Sequence, residues 1–111
     1  MLILLLLTVA TASEQPFVAT AYCLTGKTAT GPRAGPGTVA VDPKVIPLGS
    51  RVHVSGYGWA VARDTGRAIK GRRVDVWLAS RKACRRWGRQ TVRVRVVPPS
   101  PRRRQRLRAW Q

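Results

Sequence analysis

The chain has 111 residues, 44% of them hydrophobic, which supplies one modest core and leaves no room for a second domain. Its 21 Lys and Arg residues against four acidic residues give a formal net charge of +17, so its partners are expected to be anionic. Apart from Glu14, the acidic residues are Asp42, Asp64 and Asp75. Because carboxylates are so scarce, these three aspartates are candidates for a functional site rather than ordinary surface residues.

The first 13 residues are typical of an export signal. An apolar run is followed by small residues, and Ala10, Thr11 and Ala12 form the A-x-A pattern that signal peptidase cleaves. The alternative is a membrane anchor, but a helix from Leu2 to Ala12 reaches only about 16 Å, roughly half of the hydrocarbon thickness of a bilayer. We therefore predict a signal peptide at 1–13, no transmembrane span, and a protein that is secreted or lies in the bacterial cell envelope.

Six short runs rich in Val, Thr and aromatic residues then alternate with Gly and Pro clusters, which predicts a mostly β domain over 14–97. In the run RRVDVWL, Val74 and Val76 point to one face, whereas Asp75 and Trp77 point to the other, because side chains alternate along a strand. The predicted strands are 17–23, 38–42, 51–54, 58–63, 73–78 and 91–97.

One helix is predicted at 81–87. Ser80 is its N-cap, Gly88 ends it, and its inward face carries Ala83, Cys84 and Trp87. The segment 98–111 has three prolines, five arginines and no apolar period, which predicts a disordered basic tail.

The two cysteines, Cys23 and Cys84, are predicted to form a disulfide. In an oxidising compartment this bond would close a loop of about 60 residues and contribute roughly 4 kcal/mol in the chain-entropy account. The alternatives are two buried thiols or a zinc site, but His53 is the only histidine and zinc requires four well-placed ligands. We therefore expect the first strand to be linked to the helix, and we predict no metal site and no cofactor.

Two stretches, VAVDPKVIPLGSRV at 39–52 and ARDTGRAIKGRRVDVW at 62–77, carry a family resemblance. The chain resembles the three-aspartate (3D) domain, a bacterial family named for aspartates that match Asp42, Asp64 and Asp75. The resemblance implies a six-stranded double-psi β-barrel, here with one short helix. Such a barrel is similar to the catalytic barrel of membrane-bound lytic transglycosylase A and to stationary-phase muralytic proteins.

The resemblance also implies a lytic transglycosylase that cleaves the bond from N-acetylmuramic acid to N-acetylglucosamine in peptidoglycan. In lytic transglycosylase A the catalytic acid is the last aspartate of D-x-G-x-A-I-K-G-x-x-x-D, and that position is Asp75 here, with Asp64 as its neighbour. Such an acid must stay protonated near neutral pH, which requires burial or a second carboxylate. After the bond breaks, Asp75 would accept a proton from the C6 hydroxyl of the muramyl residue and close a 1,6-anhydro ring.

Each aspartate also has a structural interpretation. Asp42 precedes Pro43 in a typical turn sequence, and Asp64 in DTG can accept backbone N–H bonds. Asp75 lies within a strand, where aspartate is disfavoured, so its alternative is a buried salt bridge to an arginine. The residues predicted to bind substrate are Asp42, Lys70, Thr65, Trp77, Tyr22 and Thr28.

Arg67 departs from the family pattern, since the motif usually reads DTGG and this chain has DTGR. A cation at this position would lower the pKa of a neighbouring carboxyl and weaken the acid, or it would bind the acidic peptide stem of the substrate.

The basic charge indicates peptidoglycan glycan strands and anionic wall polymers, such as teichoic acids, as partners. Nucleic acid is the competing interpretation, but the sequence has no helix-turn-helix, zinc-finger or RNP pattern, so no specific nucleic acid partner is predicted. A monomer is the default expectation. The alternative function is a non-catalytic wall-binding barrel of expansin type, which would share the fold and the aspartates.

Overall fold

Residues 13–108 are described by the computed structural model, so nearly all of the predicted signal peptide lies outside the described residues. Within this range none of the helices is long and apolar enough to cross a membrane. The elements are β1 (Gln15–Tyr22), β2 (Thr38–Val41), β3 (Arg51–Val54), β4 (Gly58–Asp64), β5 (Arg73–Trp77), α1 (Arg81–Trp87), β6 (Gln90–Val97) and α2 (Pro101–Arg108).

The six strands form a closed barrel in the order β1-β5-β2-β4-β3-β6. The pairs β1–β5 and β2–β4 are parallel, and the other four pairs are antiparallel. Strand bounds agree with the sequence prediction to within one or two residues. The predicted class, a mostly β protein with a six-stranded barrel, is confirmed.

The core of the barrel consists mainly of β-branched side chains at alternate strand positions. Seven valines are almost inaccessible to solvent, and such side chains pack well on a pleated strand. Because alternate residues point away from this core, the outer face of the strands other than β2, whose four residues are all buried, is free to carry polar groups. The buried valines are Val39, Val41, Val52, Val54, Val74, Val76 and Val94.

Helix α1 begins and ends where the sequence predicts. The Ser80 hydroxyl accepts a hydrogen bond from the backbone N–H of Ala83 at 3.0 Å, and Gly88 follows the helix with a φ of 66°. Ala83, Cys84 and Trp87 are half-buried rather than fully buried. The predicted inward face is therefore correct, although it is only partly covered.

A second helix, α2, occupies part of the segment for which the sequence predicted a disordered tail. The barrel therefore carries two short helices instead of one. Pro101 is the first residue of α2, where its missing N–H has no cost, and the Ser100 hydroxyl accepts the N–H of Arg103 at 3.3 Å. Arginine also has a high helix propensity. The three prolines of this segment favoured the prediction of a disordered tail, so the start of α2 was not predicted from the sequence.

The predicted disulfide is not shown by the structure, in which Cys23 and Cys84 are half-buried thiols. Helix α1 does contact β1, as expected for that link. Burial raises the pKa of Cys84, and the neighbouring Cys23 thiol raises it further. The sequence therefore predicted the proximity of the two side chains, and the disulfide between them, which also requires a specific bond geometry, stays a prediction.

Asp42 connects the turn after β2 to the loop that leads into β5. Its carboxylate accepts the backbone N–H of Lys44 at 3.0 Å and that of Gly71 at 2.8 Å. Gly71 has a φ of 68°, a left-handed conformation that glycine adopts without strain. These two hydrogen bonds, that from Gly71 first, lower the pKa of Asp42. This supports the structural interpretation of Asp42, since its carboxylate positions the loop that leads into β5, the strand that carries Asp75.

The substitution Asp42→Asn is expected to lower the thermal midpoint near neutral pH, because the amide replaces a carboxylate that accepts two backbone N–H groups. A carboxyl whose pKa is lowered by folding stabilises the fold above its ordinary value of 3.8, and this stability is lost as the pH falls through the folded pKa. The difference between wild type and variant should therefore shrink on acidification. Thermal melts followed by circular dichroism across acid to neutral pH measure it.

Glu14→Gln is the matched control, because Glu14 is exposed and precedes β1. An equal loss of stability in both variants would contradict the structural role of Asp42.

Candidate active site

Four residues form one row across four adjacent strands. Thr20 of β1 pairs with Asp75 of β5, and Asp75 pairs on its other side with Ala40 of β2. Ala40 in turn pairs with Asp64 of β4. Neighbouring strands lie about 4.8 Å apart, so the Cα atoms of the two aspartates are roughly 10 Å apart, with the methyl group of Ala40 between them. The two aspartates line the same groove.

A β-bulge places Asp64 in that row. Val39 of β2 pairs with Ala62 of β4, but the next residue of β2, Ala40, pairs with Asp64. Strand β4 therefore contains one extra residue, Arg63, at this point. Ala62 belongs to the core, and strict alternation would place Asp64 on the same inner face. The extra residue reverses this, and Asp64 lines the groove outside the barrel.

Asp75 is half-buried and its main partner is a hydroxyl group. Thr20 Oγ1 donates a hydrogen bond to Asp75 Oδ1 at 2.9 Å, and Arg73 Nη2 donates to the same threonine oxygen at 3.5 Å. Burial raises the pKa of Asp75 above its ordinary value of 3.8, whereas the Thr20 hydrogen bond and the Arg73 charge lower it, and the Asp64 charge raises it again. The net direction is upward, as a proton donor requires.

Asp64 accepts several hydrogen bonds at the edge of the groove. Its Oδ1 accepts the backbone N–H of Ala29 at 3.2 Å and that of Thr65 at 2.9 Å, and its Oδ2 accepts the Tyr22 hydroxyl at 3.5 Å. Burial raises the pKa of Tyr22, and the Asp64 and Asp75 charges raise it further, so the phenol keeps its proton and donates. Asp64 thus has both of the features predicted for it, because it organises a turn and also faces the groove.

The groove has a volume of about 340 Å³ and an apolar wall beside its two carboxyls. Tyr22, Asp64, Thr65 and Asp75 were predicted from the sequence as site residues, and all four line it. The remaining lining residues were not predicted, since most come from the loops after β1 and β4 whose paths are not set by strand alternation. These residues are Leu24, Gly26, Lys27, Ala34, Ala40, Gly66 and Ile69.

Four residues predicted to bind substrate do not line the groove. Thr28 is buried and its hydroxyl donates to the Pro32 carbonyl at 2.6 Å. Trp77 Nε1 donates to the carbonyl of Leu24 at 3.0 Å, so this tryptophan positions a lining residue. Lys70 is exposed, and its charge lowers the pKa of Asp42. Asp42 is the fourth predicted residue that lies outside the lining of the groove.

Arg67 is exposed and also lies outside the lining of the groove. The cation that acts on Asp75 is instead Arg73, at the start of β5. Arg73 lies two residues before Asp75 on the same strand and so acts on it directly, whereas binding of an acidic peptide stem by Arg67 stays a prediction.

Residues 37–98 match the sequence profile of the family described as the 3D domain. The chain belongs to the 3D domain family. Two Bacillus subtilis relatives are the putative cell wall shaping protein YabE, 45% identical over 80% of this chain, and the cell wall-binding protein YocH, 47% identical over 76%. The matched regions make up 23% and 32% of those two proteins, so this 3D domain chain spans about a quarter to a third of their length.

Solved structures similar to this 3D domain include the E. coli lytic transglycosylase MltA. One MltA structure matches with a TM-score of 0.54 and 26% identity, covering 70% of this chain and 29% of MltA. A structure of MltA with bound chitohexaose matches with a TM-score of 0.50 and 26% identity, covering 68% and 29%. The barrel described above is therefore similar to a part of that enzyme.

Asp75→Asn is expected to be more stable than the wild type near neutral pH, because an amide avoids the cost of an ionised carboxylate in a half-buried site. A carboxyl whose pKa is raised by folding stabilises the fold when protonated, and this contribution is lost as the pH rises from 3.8 through the folded pKa. The variant should lack that dependence. Urea unfolding at several pH values measures it.

Asp64→Asn is the comparison variant, and it should be less stable than the wild type because its carboxylate accepts two backbone N–H groups. A loss of stability in Asp75→Asn of the same size would show that the Asp75 carboxylate stabilises the fold, contrary to the direction of its pKa.

Proposed function

We propose that this protein is a lytic transglycosylase-like enzyme that cleaves the bond from N-acetylmuramic acid to N-acetylglucosamine in peptidoglycan. The observation that carries the proposal is the half-buried Asp75, whose pKa is raised and which shares a groove with Asp64. The likeness to MltA supports the same reaction class.

In the first step the protonated Asp75 donates its proton to the glycosidic oxygen. The bond between that oxygen and C1 of the muramyl residue breaks, and the leaving sugar departs with a hydroxyl group. Positive charge develops at C1 and the ring oxygen. The Asp64 carboxylate, held by Ala29, Thr65 and Tyr22, faces this charge from across Ala40 and stabilises it.

In the second step the ionised Asp75 accepts the proton of the C6 hydroxyl of the same muramyl residue. The C6 oxygen then forms a bond to C1 and closes the 1,6-anhydro ring, so no water is consumed. Thr20 stabilises the ionised form of Asp75 through its hydrogen bond at 2.9 Å. One carboxyl therefore serves as acid and then as base, and its pKa has to suit both roles.

The groove offers a place for a glycan strand. It is lined by the Tyr22 and Thr65 side chains, which carry hydroxyl groups that can bind sugar hydroxyls, and by apolar Leu24 and Ile69. The bound chitohexaose of an MltA structure supports a glycan as the ligand. The names of the two B. subtilis relatives support action at the cell wall, and we place the protein in the envelope or outside the cell.

A second function is favoured by the relative named as a cell wall-binding protein. In that case the groove binds glycan strands without cleaving them, and Asp75 accepts a hydrogen bond from a sugar hydroxyl. The same residues serve both functions, so only product analysis separates them.

Digestion of purified peptidoglycan tests the proposal. The wild type is expected to release 1,6-anhydro-muropeptides, identified by mass spectrometry, and Asp75→Asn to lose at least about 100-fold in rate because the proton donor is removed. Glu14→Gln controls for the loss of one carboxyl and should keep the wild-type rate.

Each other outcome has a distinct meaning. Products with reducing ends would identify a hydrolase, and retained wall binding without any product would identify a binding module. Cleavage by Asp75→Asn at the wild-type rate would remove Asp75 from the mechanism.

A further inference from the structure

A second surface lies on the barrel wall formed by β4, β3 and β6. His53 of β3 pairs with Trp59 of β4 on one side and with Arg95 of β6 on the other. Arg51 lies two residues before His53 on the same outer face, because Val52 between them is buried. We call Arg51, His53, Trp59 and Arg95 the outer patch, and none of them lines the groove.

Trp59 fixes the positions of two guanidinium groups in the outer patch. The Cζ atom of Arg51 lies 4.9 Å from the centre of the Trp59 ring, and that of Arg95 lies 5.9 Å from it. The His53 ring packs edge-on against the same indole at 5.1 Å. Cation–π contacts of this kind restrict a flexible arginine, so less entropy is lost when the guanidinium binds an anion.

Carboxylates are missing from two of the three strands that carry the outer patch. There is no Asp or Glu between Asp42 and Asp64, and none after Asp75, so β3 and β6 contain no acidic residue. Arg51, Arg63 and Arg103 also line a hollow of about 310 Å³ beside Trp59. Arg51 and Arg95 therefore have no neutralising carboxylate on their own strands, and Arg63 and Arg103 add positive charge beside them, which favours an anionic ligand.

The chemistry of the guanidinium groups indicates which class of anion the outer patch binds. A guanidinium donates two parallel hydrogen bonds to a phosphate, and several guanidiniums on one wall suit a chain of repeating phosphates. The Arg51 and Arg95 guanidiniums both lie over the Trp59 ring, so a ligand that binds them needs phosphates but no base or sugar ring to stack on the indole. A flexible polymer of phosphodiester groups without bases meets both conditions.

We propose that the outer patch binds a phosphodiester-linked polymer of the teichoic acid type. The groove and this wall then form two separate sites, one for the glycan strand and one for the anionic polymer beside it. Binding at the patch does not depend on cleavage in the groove, so the failure of either proposal is distinguishable from the failure of the other.

Three variants of the full chain test the patch. Arg51→Gln with Arg95→Gln removes both stacked cations. Arg51→Lys with Arg95→Lys keeps the charge but removes the planar groups. Arg86→Gln with Arg89→Gln is the control, because it removes two exposed arginines outside the patch. Circular dichroism melts of all variants establish that each is folded.

The probe is purified poly(glycerol phosphate), with binding measured by titration at several salt concentrations. The glutamine variant is expected to bind at least about tenfold more weakly than the wild type, with a shallower dependence of affinity on salt. The lysine variant should lie between them, and the control should stay within about twofold of the wild type. Cleavage or binding of peptidoglycan stripped of phosphodiester polymer should be the same in all four proteins.

Three results would overturn the proposal. Equal losses in the glutamine variant and the control would mean that net charge alone binds the polymer. No loss in either would remove the patch from binding. Tighter, patch-dependent binding of duplex DNA than of poly(glycerol phosphate) at the same salt would assign the surface to nucleic acid instead.

Discussion

The register between β2 and β4 is the constraint on which the candidate site depends. In a strand the side chains alternate, so Asp64 would lie on the inner face with Ala62 if the pairing continued without interruption. One extra residue in β4 moves Asp64 to the outer face, opposite Ala40. The two carboxyls face a common groove only because of this local irregularity, while the regular pairing around it forms the closed barrel.

The electrostatics of Asp75 show that local surroundings outweigh the charge of the whole protein. A formal net charge of +17 favours ionised carboxylates everywhere on the molecule. Burial nevertheless raises the pKa of Asp75, and it exceeds the opposing effects of Thr20 and Arg73. Asp42 shows the opposite result, because two backbone N–H groups lower its pKa. Two aspartates of one family motif therefore have opposite chemistry, which supports a reactive role for one and a structural role for the other.

The sequence predicted the features that depend on local periodicity. Alternation around Asp75 and the capping residues Ser80 and Gly88 are visible in short windows, and the structure confirms them. It did not predict features that depend on long-range geometry, namely the bulge at Arg63 and the loop residues of the groove such as Lys27. The helix after Ser100 was missed for a different reason, since prolines concealed its start.

Ala40 is 3% exposed and lies between the two carboxyls in the row across the strands. Its single methyl group keeps the space between them open, whereas a valine or leucine at this position would extend into the groove. The space between the two carboxyls is thus set by a single methyl group. Ala40, which has no reactive group, therefore limits the size of the group that fits between the two carboxyls.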